Sequence, residues 1–155
     1  MKIRLILLSL AVAFVPVSGL RAQDTKPAAP AAPADKPDTE LGKVMGKMNK
    51  AWRPVRQAAR DGKLSPAIAD YVATMIVNAE AAKKMTPELE ADQPAGDRAK
   101  FQADYQAAIR KLIDTLGQLE AALKANDTAT ATKLVAAIGD LRKSGHHDFK
   151  KPDEH

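Results

Sequence analysis

The most regular part of the sequence is FQADYQAAIRKLIDTLGQLEAALKAND, residues 101–127. Apolar side chains recur in it at steps of three and four residues, a spacing that places them on one face of an α-helix. These positions are Phe101, Tyr105, Ile109, Leu112, Leu116, Leu119 and Leu123. A helix with so long an apolar seam buries it against other helices, so the stretch predicts a helical bundle.

Three further segments carry an apolar stripe of the same kind, over residues 41–59, 65–85 and 127–149. Short turns at Asp61-Gly62 and Asn126-Asp127 separate helices that run antiparallel to each other. A longer loop with two prolines and a glycine, residues 86–96, separates the second and third helices. The sequence therefore predicts an all-α fold, an up-down-up-down antiparallel four-helix bundle.

Two prolines give local expectations within this fold. Pro66 follows Ser65, a pair typical of a helix N-cap and first helical position, so the second helix is expected to begin there. Pro54 lies inside the first stripe, where it removes one backbone hydrogen bond, and is expected to bend that helix near Lys50. Asp127 or Thr128 is expected to cap the fourth helix.

Composition excludes several classes of protein. The chain is 45% hydrophobic but only 4% aromatic, and β-branched residues are scarce, so an all-β core has little to build from. It contains no cysteine, which excludes a disulfide framework, an iron–sulfur or thiolate zinc site, thiol catalysis and a covalently attached c-type haem. Ser65 and Ser144 have no base at a helical spacing, so no enzyme is expected.

The N-terminal residues indicate export. Lys2 and Arg4 precede the apolar run 5–17, and small residues follow up to Ala22, which predicts a signal peptide over residues 1–22 and a periplasmic protein. The apolar core of about 13 residues is shorter than the roughly 20 that span a bilayer, so no stable membrane span is expected after cleavage. Residues 23–40 are rich in Pro and Ala and predict a linker.

The mature chain is much less basic than the whole chain. Removal of residues 1–22 lowers the formal net charge from +5 to +2, which argues against a nucleic-acid partner. The domains expected are therefore the signal peptide, the linker, the bundle over residues 41–151 and a short tail at 152–155.

The bundle topology brings four helix ends together: the start of the first and third helices and the end of the second and fourth. The chemically distinctive residues there are Met45, Met48, Met85, Phe101, Tyr105 and His146. The angle of each residue around the fourth helix, measured from the inward-facing Ile138, predicts that His146 borders the interior and that His147 faces water. A thioether and a neutral imidazole facing across an apolar pocket suit the two axial positions of haem iron. Core packing by Met and a helix-dipole contact by His are the ordinary alternatives.

Three motifs resemble the cytochrome b562 family, which is related to the class II cytochromes c. LGKVMGKMN, residues 41–49, resembles the family's L-x-x-x-M-x-x-L-N. Thr86-Pro87, the acidic residues after it, and Phe101-x-x-x-Tyr105 resemble its proline-containing loop and haem-lining aromatic pair. RKSGH, residues 142–146, resembles its R-x-x-Y-H, with Gly145 in place of the aromatic residue.

The resemblance implies a function and assigns residues to it. It implies a periplasmic electron-transfer protein that binds haem b non-covalently, with Met45 and His146 as ligands of the iron. Met48 competes for the ligand role because it lies one turn along the same helix. The haem-binding residues implied are Met45, Met48, Met85, Phe101, Tyr105, Arg142 and His146. The partner expected is an unidentified redox protein, and the chain is expected to be a monomer or a dimer.

Two alternatives remain open at this point. A haem-free bundle could act as an interaction or metal-buffering module, with His146, His147 and Asp148 joining Asp153, Glu154 and His155 around an ion. Adjacent histidines on a helix cannot both face one ion, which weakens that reading. A structural bundle without any cofactor is the other alternative, and the visible absorption spectrum distinguishes all three.

Overall fold

The computed structural model describes residues 39–151. Four α-helices fill this part of the chain: α1 (Glu40–Arg60), α2 (Ala69–Ala82), α3 (Arg98–Lys124) and α4 (Thr128–Phe149). Two short 3-10 helices, Pro66–Ile68 and Glu88–Asp92, lie in the connections on either side of α2, and residues 39–151 include no strand. The predicted signal peptide, nearly all of the predicted linker and the predicted tail lie outside the described residues.

The ends of α1 follow from side-chain and backbone chemistry. The Thr39 hydroxyl accepts a hydrogen bond from the Gly42 amide at 3.0 Å, which satisfies one donor of the first turn. The helix ends at Arg60, and Gly62 then takes a φ of 64°, a left-handed conformation that favours glycine. The helix is continuous through Pro54.

The start of α2 differs from the prediction. The Ser65 side chain makes no capping hydrogen bond, and its backbone carbonyl instead accepts from the Ile68 amide at 3.2 Å. That bond closes the tight 3-10 turn that begins at Pro66, so the α-helix itself begins only at Ala69. It ends at Ala82, which leaves Met85 beyond the helix in the following connection.

The turn between α3 and α4 agrees with the prediction. Asn126 adopts a φ of 56°, which the short polar side chain of asparagine tolerates. Asp127 then caps α4, because its carboxylate accepts from the Thr130 amide at 3.0 Å. Of the two residues predicted to cap this helix, Asp127 is therefore the one that does so.

Helices that are neighbours in sequence pack along each other, which confirms the up-down-up-down bundle. α1 packs on α2, α2 on α3 and α3 on α4, whereas α1 and α4 approach each other at only a few positions. The main core joins all four helices, and its most deeply buried side chains are Val55, Val72, Leu116, Leu119, Leu123 and Ile138. One side of the bundle, between α1 and α4, is thus much less closely packed than the other three.

A second apolar cluster lies apart from the main core, and we call it the end cluster. Its buried members are Met48, Ala79, Tyr105 and Ile109, with Met45, Leu112, Ile113 and Phe149 packed against them. Within residues 39–151, no helix is both long and apolar enough to cross a membrane.

Candidate functional site

Hydrogen bonds connect the start of α3 to the end of α2 beside the end cluster. The Tyr105 hydroxyl donates to the Ala82 carbonyl at 2.9 Å, and the Gln102 amide donates to the Met85 carbonyl at 3.1 Å. Tyr105 is only 2% exposed, so its ring is a wall of the cluster while its polar atom is satisfied. The structure therefore brings the predicted residues Tyr105 and Met85 to one end of the bundle.

Aromatic contacts bring the end of α4 to the same place. The Phe149 ring packs edge-to-face on Phe101, with ring centroids 5.3 Å apart, and on Tyr105 at 5.4 Å. Phe149 was not predicted as a site residue, although it ends the apolar stripe of α4. The signal that could have identified it is its spacing of four residues from Gly145, which puts it on the inner face of the helix.

The two methionines of α1 occupy different environments. Met48 is 7% exposed and belongs to the buried set of the end cluster. Met45 is half-buried at the margin of that cluster. Met48 therefore acts as a packing residue in this arrangement, while the Met45 thioether lies nearer to the surface of the bundle.

His146 lies at the surface, which differs from the expectation that it borders the interior. The inward positions of α4 near its end are held instead by the half-buried Gly145 and Phe149. Phe149 takes the inner position because its ring packs on α3, and this leaves His146 on a flank of the helix. His147 is also exposed, as expected, and its imidazole contacts Asp148 at 2.8 Å.

The position of Arg142 indicates which flank His146 occupies. Burial, followed by repulsion from the nearby Arg56 guanidinium on α1, lowers the pKa of Arg142. Arg142 thus faces α1, and His146, four residues later, follows it on the same face of α4. His146 therefore lies on the flank of α4 that borders the poorly packed side of the bundle.

On α1, Met45 and Arg56 likewise lie on one face of their helix. Met45 precedes Arg56 by eleven residues, about three helical turns, so the two side chains leave the helix within about 20° of each other. Both steps, from Arg56 to Met45 and from Arg142 to His146, run toward the end that holds the end cluster. Met45 and His146 therefore lie toward the side of the bundle on which α1 and α4 approach each other at few positions.

The end cluster and its surroundings are electrically neutral. Burial raises the pKa of Tyr105 to about 12, so its hydroxyl remains a neutral donor at physiological pH. No polar or charged residue within 39–151 is fully buried. The half-buried Met85 and Phe101 complete the apolar surroundings, and a Cβ atom at Gly145 would meet no other atom within 4 Å.

Residues 40–150 match the family model of cytochrome b562. The chain belongs to the cytochrome b562 family. Neither the comparison with curated proteins nor the comparison with solved structures gave a match. Members of the family are electron carriers that bind haem b, which contains iron, non-covalently, and this chain is a haem-binding cytochrome of that kind.

The residues present fit the cofactor of a cytochrome b562. The complete absence of cysteine excludes thioether attachment, which agrees with haem held without a covalent bond to the polypeptide. Sulfur and imidazole donors stand on α1 and α4, which approach each other at the fewest positions, and the rings of Phe101, Tyr105 and Phe149 lie at the same end of the bundle. The fold therefore brings donors and apolar contacts to one end of the bundle.

Other parts of the described chain offer no comparable site. Among residues 39–151, no group of three His, Cys, Asp or Glu side chains could hold a metal ion. The carboxylates and imidazole at 153–155, which the metal-buffering hypothesis requires, lie outside the described residues. A depression of about 230 Å³ at the other end of the bundle, lined by Gly62, Leu64, Thr128, Ala129 and Thr132, contains no strong metal donor.

Proposed function

We propose that the protein is a periplasmic one-electron carrier that holds haem b between α1 and α4. The Met45 sulfur and the His146 imidazole are the axial ligands. Met48, Met85, Phe101, Tyr105, Arg142 and Phe149 surround the cofactor. The observation that carries this proposal is the poorly packed α1–α4 side, which is flanked by Met45 on one helix and His146 on the other.

The chemistry of the two donors supports electron transfer over catalysis. A neutral imidazole nitrogen and a thioether sulfur together fill both axial positions, so no open position remains for oxygen or substrate. The thioether favours ferrous iron, which raises the reduction potential. The proposal requires the His146 side chain to turn from its exposed position toward α1, and side-chain rotation of this kind is rapid at a surface.

The periplasmic part of the proposal rests on residues 1–22. Positive charge, an apolar run too short to span a bilayer and small residues before Gln23 are the pattern of a cleaved export signal. N-terminal sequencing of the protein recovered from the periplasm tests this part. A mature chain that begins near Gln23 is expected, and a full-length chain retained in the membrane fraction would contradict it.

Haem titration tests the cofactor and its mode of attachment. Apoprotein mixed with haemin is expected to bind one equivalent and to develop a Soret band. Extraction with acidified organic solvent should then remove all colour from the polypeptide, because no thioether bond holds the cofactor. Colour that remains with the protein, or no Soret band in excess haemin, would contradict non-covalent binding.

Matched substitutions test the two ligands separately. His146→Ala should abolish the low-spin spectrum, while His147→Ala should leave it unchanged. Met45→Leu should retain haem but produce high-spin iron and a lower potential, because leucine keeps the volume and removes the sulfur. Met48→Leu is the control. A high-spin spectrum for Met48→Leu alone would move the ligand to Met48, and unchanged spectra for both would mean that iron has no methionine ligand.

A further inference from the structure

The positive charge of the described chain is concentrated on one helix. Residues 41–60 of α1 carry six basic side chains and no acidic one. Residues 61–151 carry thirteen basic and thirteen acidic side chains, so the remainder of the bundle has no net charge. The six residues are Lys43, Lys47, Lys50, Arg53, Arg56 and Arg60, all of them exposed, and we call this set the basic face of α1.

Pairing within the fold does not account for this arrangement. Elsewhere lysines lie beside carboxylates of their own helix, as in the pairs Lys83–Glu80, Lys100–Asp104 and Lys124–Glu120. On the basic face only Lys43 has such a partner, Glu40, and Lys47, Lys50 and Arg53 form no ion pair within residues 39–151. Like charges three or four residues apart destabilise a helix, so the fold itself gains nothing from this spacing.

The location of the basic face relates it to electron transfer. α1 is the helix that carries Met45, and Lys47 and Lys50 lie within about one and a half turns of it. At 100° per residue, Lys47 and Lys50 leave α1 about 140–160° from the Met45 direction, whereas Arg53 and Arg56 leave it within about 80° and about 20°. If haem lies between α1 and α4, as proposed above, the arginine end of the basic face is the part that borders the α1–α4 side of the bundle. A partner that docks there approaches the haem more closely than a partner on α2 or α3.

We infer that the basic face of α1 is the docking surface for an acidic one-electron redox protein. Opposite charge accelerates encounter and orients the partner, and transient redox complexes need little more than this. One electron then passes between the partner's centre and the haem iron, each changing its oxidation state by one, with no bond formed or broken. This inference rests on the proposed function.

A protein partner fits the surface better than an anionic membrane. Basic helices that lie on membranes present an apolar face to the lipid beside their positive charges. The apolar stripe of α1, which includes Val44, Met48 and Val55, is buried within the bundle. The exposed side therefore offers charge without the apolar contact that lipid binding requires.

Charge reversal on two faces tests the inference. One variant carries Lys47→Glu, Lys50→Glu and Arg53→Glu, and the matched control carries Arg110→Glu, Lys111→Glu and Lys133→Glu at exposed positions on α3 and α4. Both have the same net charge. The ferrous haem-loaded proteins are oxidised in stopped-flow experiments by ferricyanide and by an acidic blue-copper protein, at about 10 mM and about 300 mM ionic strength.

The α1 variant is expected to react at least about fivefold more slowly with both oxidants at low ionic strength, and the control less than about twofold more slowly. At high ionic strength the three proteins should converge, because the charges are screened. Equal slowing of both variants would overturn the inference, since net charge alone would then explain the rates. The inference would also be overturned if the α1 variant were oxidised by the blue-copper protein at the same rate as the unaltered protein.

Two further outcomes separate the inference from its alternatives. Binding of the unaltered protein to phosphatidylserine vesicles that the α1 variant loses, with an unchanged copper-protein rate, would overturn it in favour of a lipid surface. Failure of the proposed function is recognised independently, because Soret spectra would then be absent or insensitive to Met45→Leu and His146→Ala, and both proposals would fall. Failure of docking alone leaves these spectra intact.

Discussion

Tyr105 contacts three parts of the bundle at once. Its ring belongs to the end cluster and packs on Phe149 of α4, and its hydroxyl donates to the Ala82 carbonyl at the end of α2. The Ala82 carbonyl also accepts from the Met85 amide at 2.9 Å. The tyrosine therefore adds a second hydrogen bond to a carbonyl that is already satisfied, and its main contribution is to position the ring.

Tyr105→Phe is expected to destabilise the protein by only about 1 kcal/mol at neutral pH, because the acceptor keeps its other partner.

The raised pKa of Tyr105 predicts a second effect, on stability at alkaline pH. The unfolded chain releases the phenol proton near pH 10, while the folded protein holds it to about pH 12, so the unmodified protein loses stability between these values. Tyr105→Phe should not show this alkaline loss of stability. Urea unfolding at a series of pH values measures the free energy of unfolding of both proteins.

Tyr71→Phe is the control for this prediction. Tyr71 is 44% exposed and has the same chemistry without the burial, so its removal should leave the alkaline loss of stability in place. Identical alkaline profiles for Tyr105→Phe and the unmodified protein would show that another group causes the loss.

The helix ends depend on two residues in left-handed conformation, Gly62 after α1 and Asn126 after α3. Each lets the chain reverse within a few residues, which keeps consecutive helices antiparallel and adjacent. Other glycines have no such role. Gly139 lies within α4, and a Cβ atom there would meet no other atom within 4 Å.

Gly62→Ala and Gly139→Ala should therefore change stability in opposite directions. Alanine at Gly62 is strained by its positive φ and is expected to cost about 1 kcal/mol. Alanine at Gly139 raises helix propensity without a clash and is expected to stabilise by about 0.5–1 kcal/mol. Chemical denaturation of the two apoproteins gives the comparison, and a stabilising Gly62→Ala would mean that the turn adopts a different conformation.

At the scale of the whole bundle, three of the four sides are closely packed, and on the fourth α1 and α4 approach each other at only a few positions. A ligand that bridges α1 and α4 binds the folded state alone and stabilises it by mass action. With free haem at 100 times its Kd, the gain is about 2.7 kcal/mol. For a domain of this size the melting temperature should rise by roughly 10 °C.

Far-UV circular dichroism during heating measures this shift. The rise, measured for each protein against its own apo form, should disappear in His146→Ala at the same haem concentration. An equal rise in both proteins would show that His146 is not a ligand of the haem.

The features that sequence predicted well are those set by nearby residues. The stripes of α1, α3 and α4, the turn at Gly62 and the cap at Asp127 each depend on a few neighbouring residues, and the structure confirms them. The start of α2 was predicted less well. There the Ser65 carbonyl, rather than its hydroxyl, makes the decisive hydrogen bond, and residue preference does not reveal which atom will do so.

The sequence predicted that several of the candidate residues meet at one end of the bundle, but not how they are arranged there. Topology alone brought Met45, Met85 and Tyr105 to one end. Phase angle could not show that Phe149 takes the inner position of α4 and leaves His146 outside, because that outcome depends on its packing against α3. Nor could local sequence show which pair of helices packs least closely.

The poorly packed side between α1 and α4 also bears on the order in which the molecule assembles. The three close interfaces join helices that are consecutive along the chain, so each forms by closure of a short loop and folding is expected to be fast. The α1–α4 contact joins the two extremes of the bundle and has the highest closure entropy. Because little of the fold depends on it, the polypeptide can complete its structure first and admit the cofactor afterwards. Cofactor binding is then expected to be a separate and reversible last step of assembly.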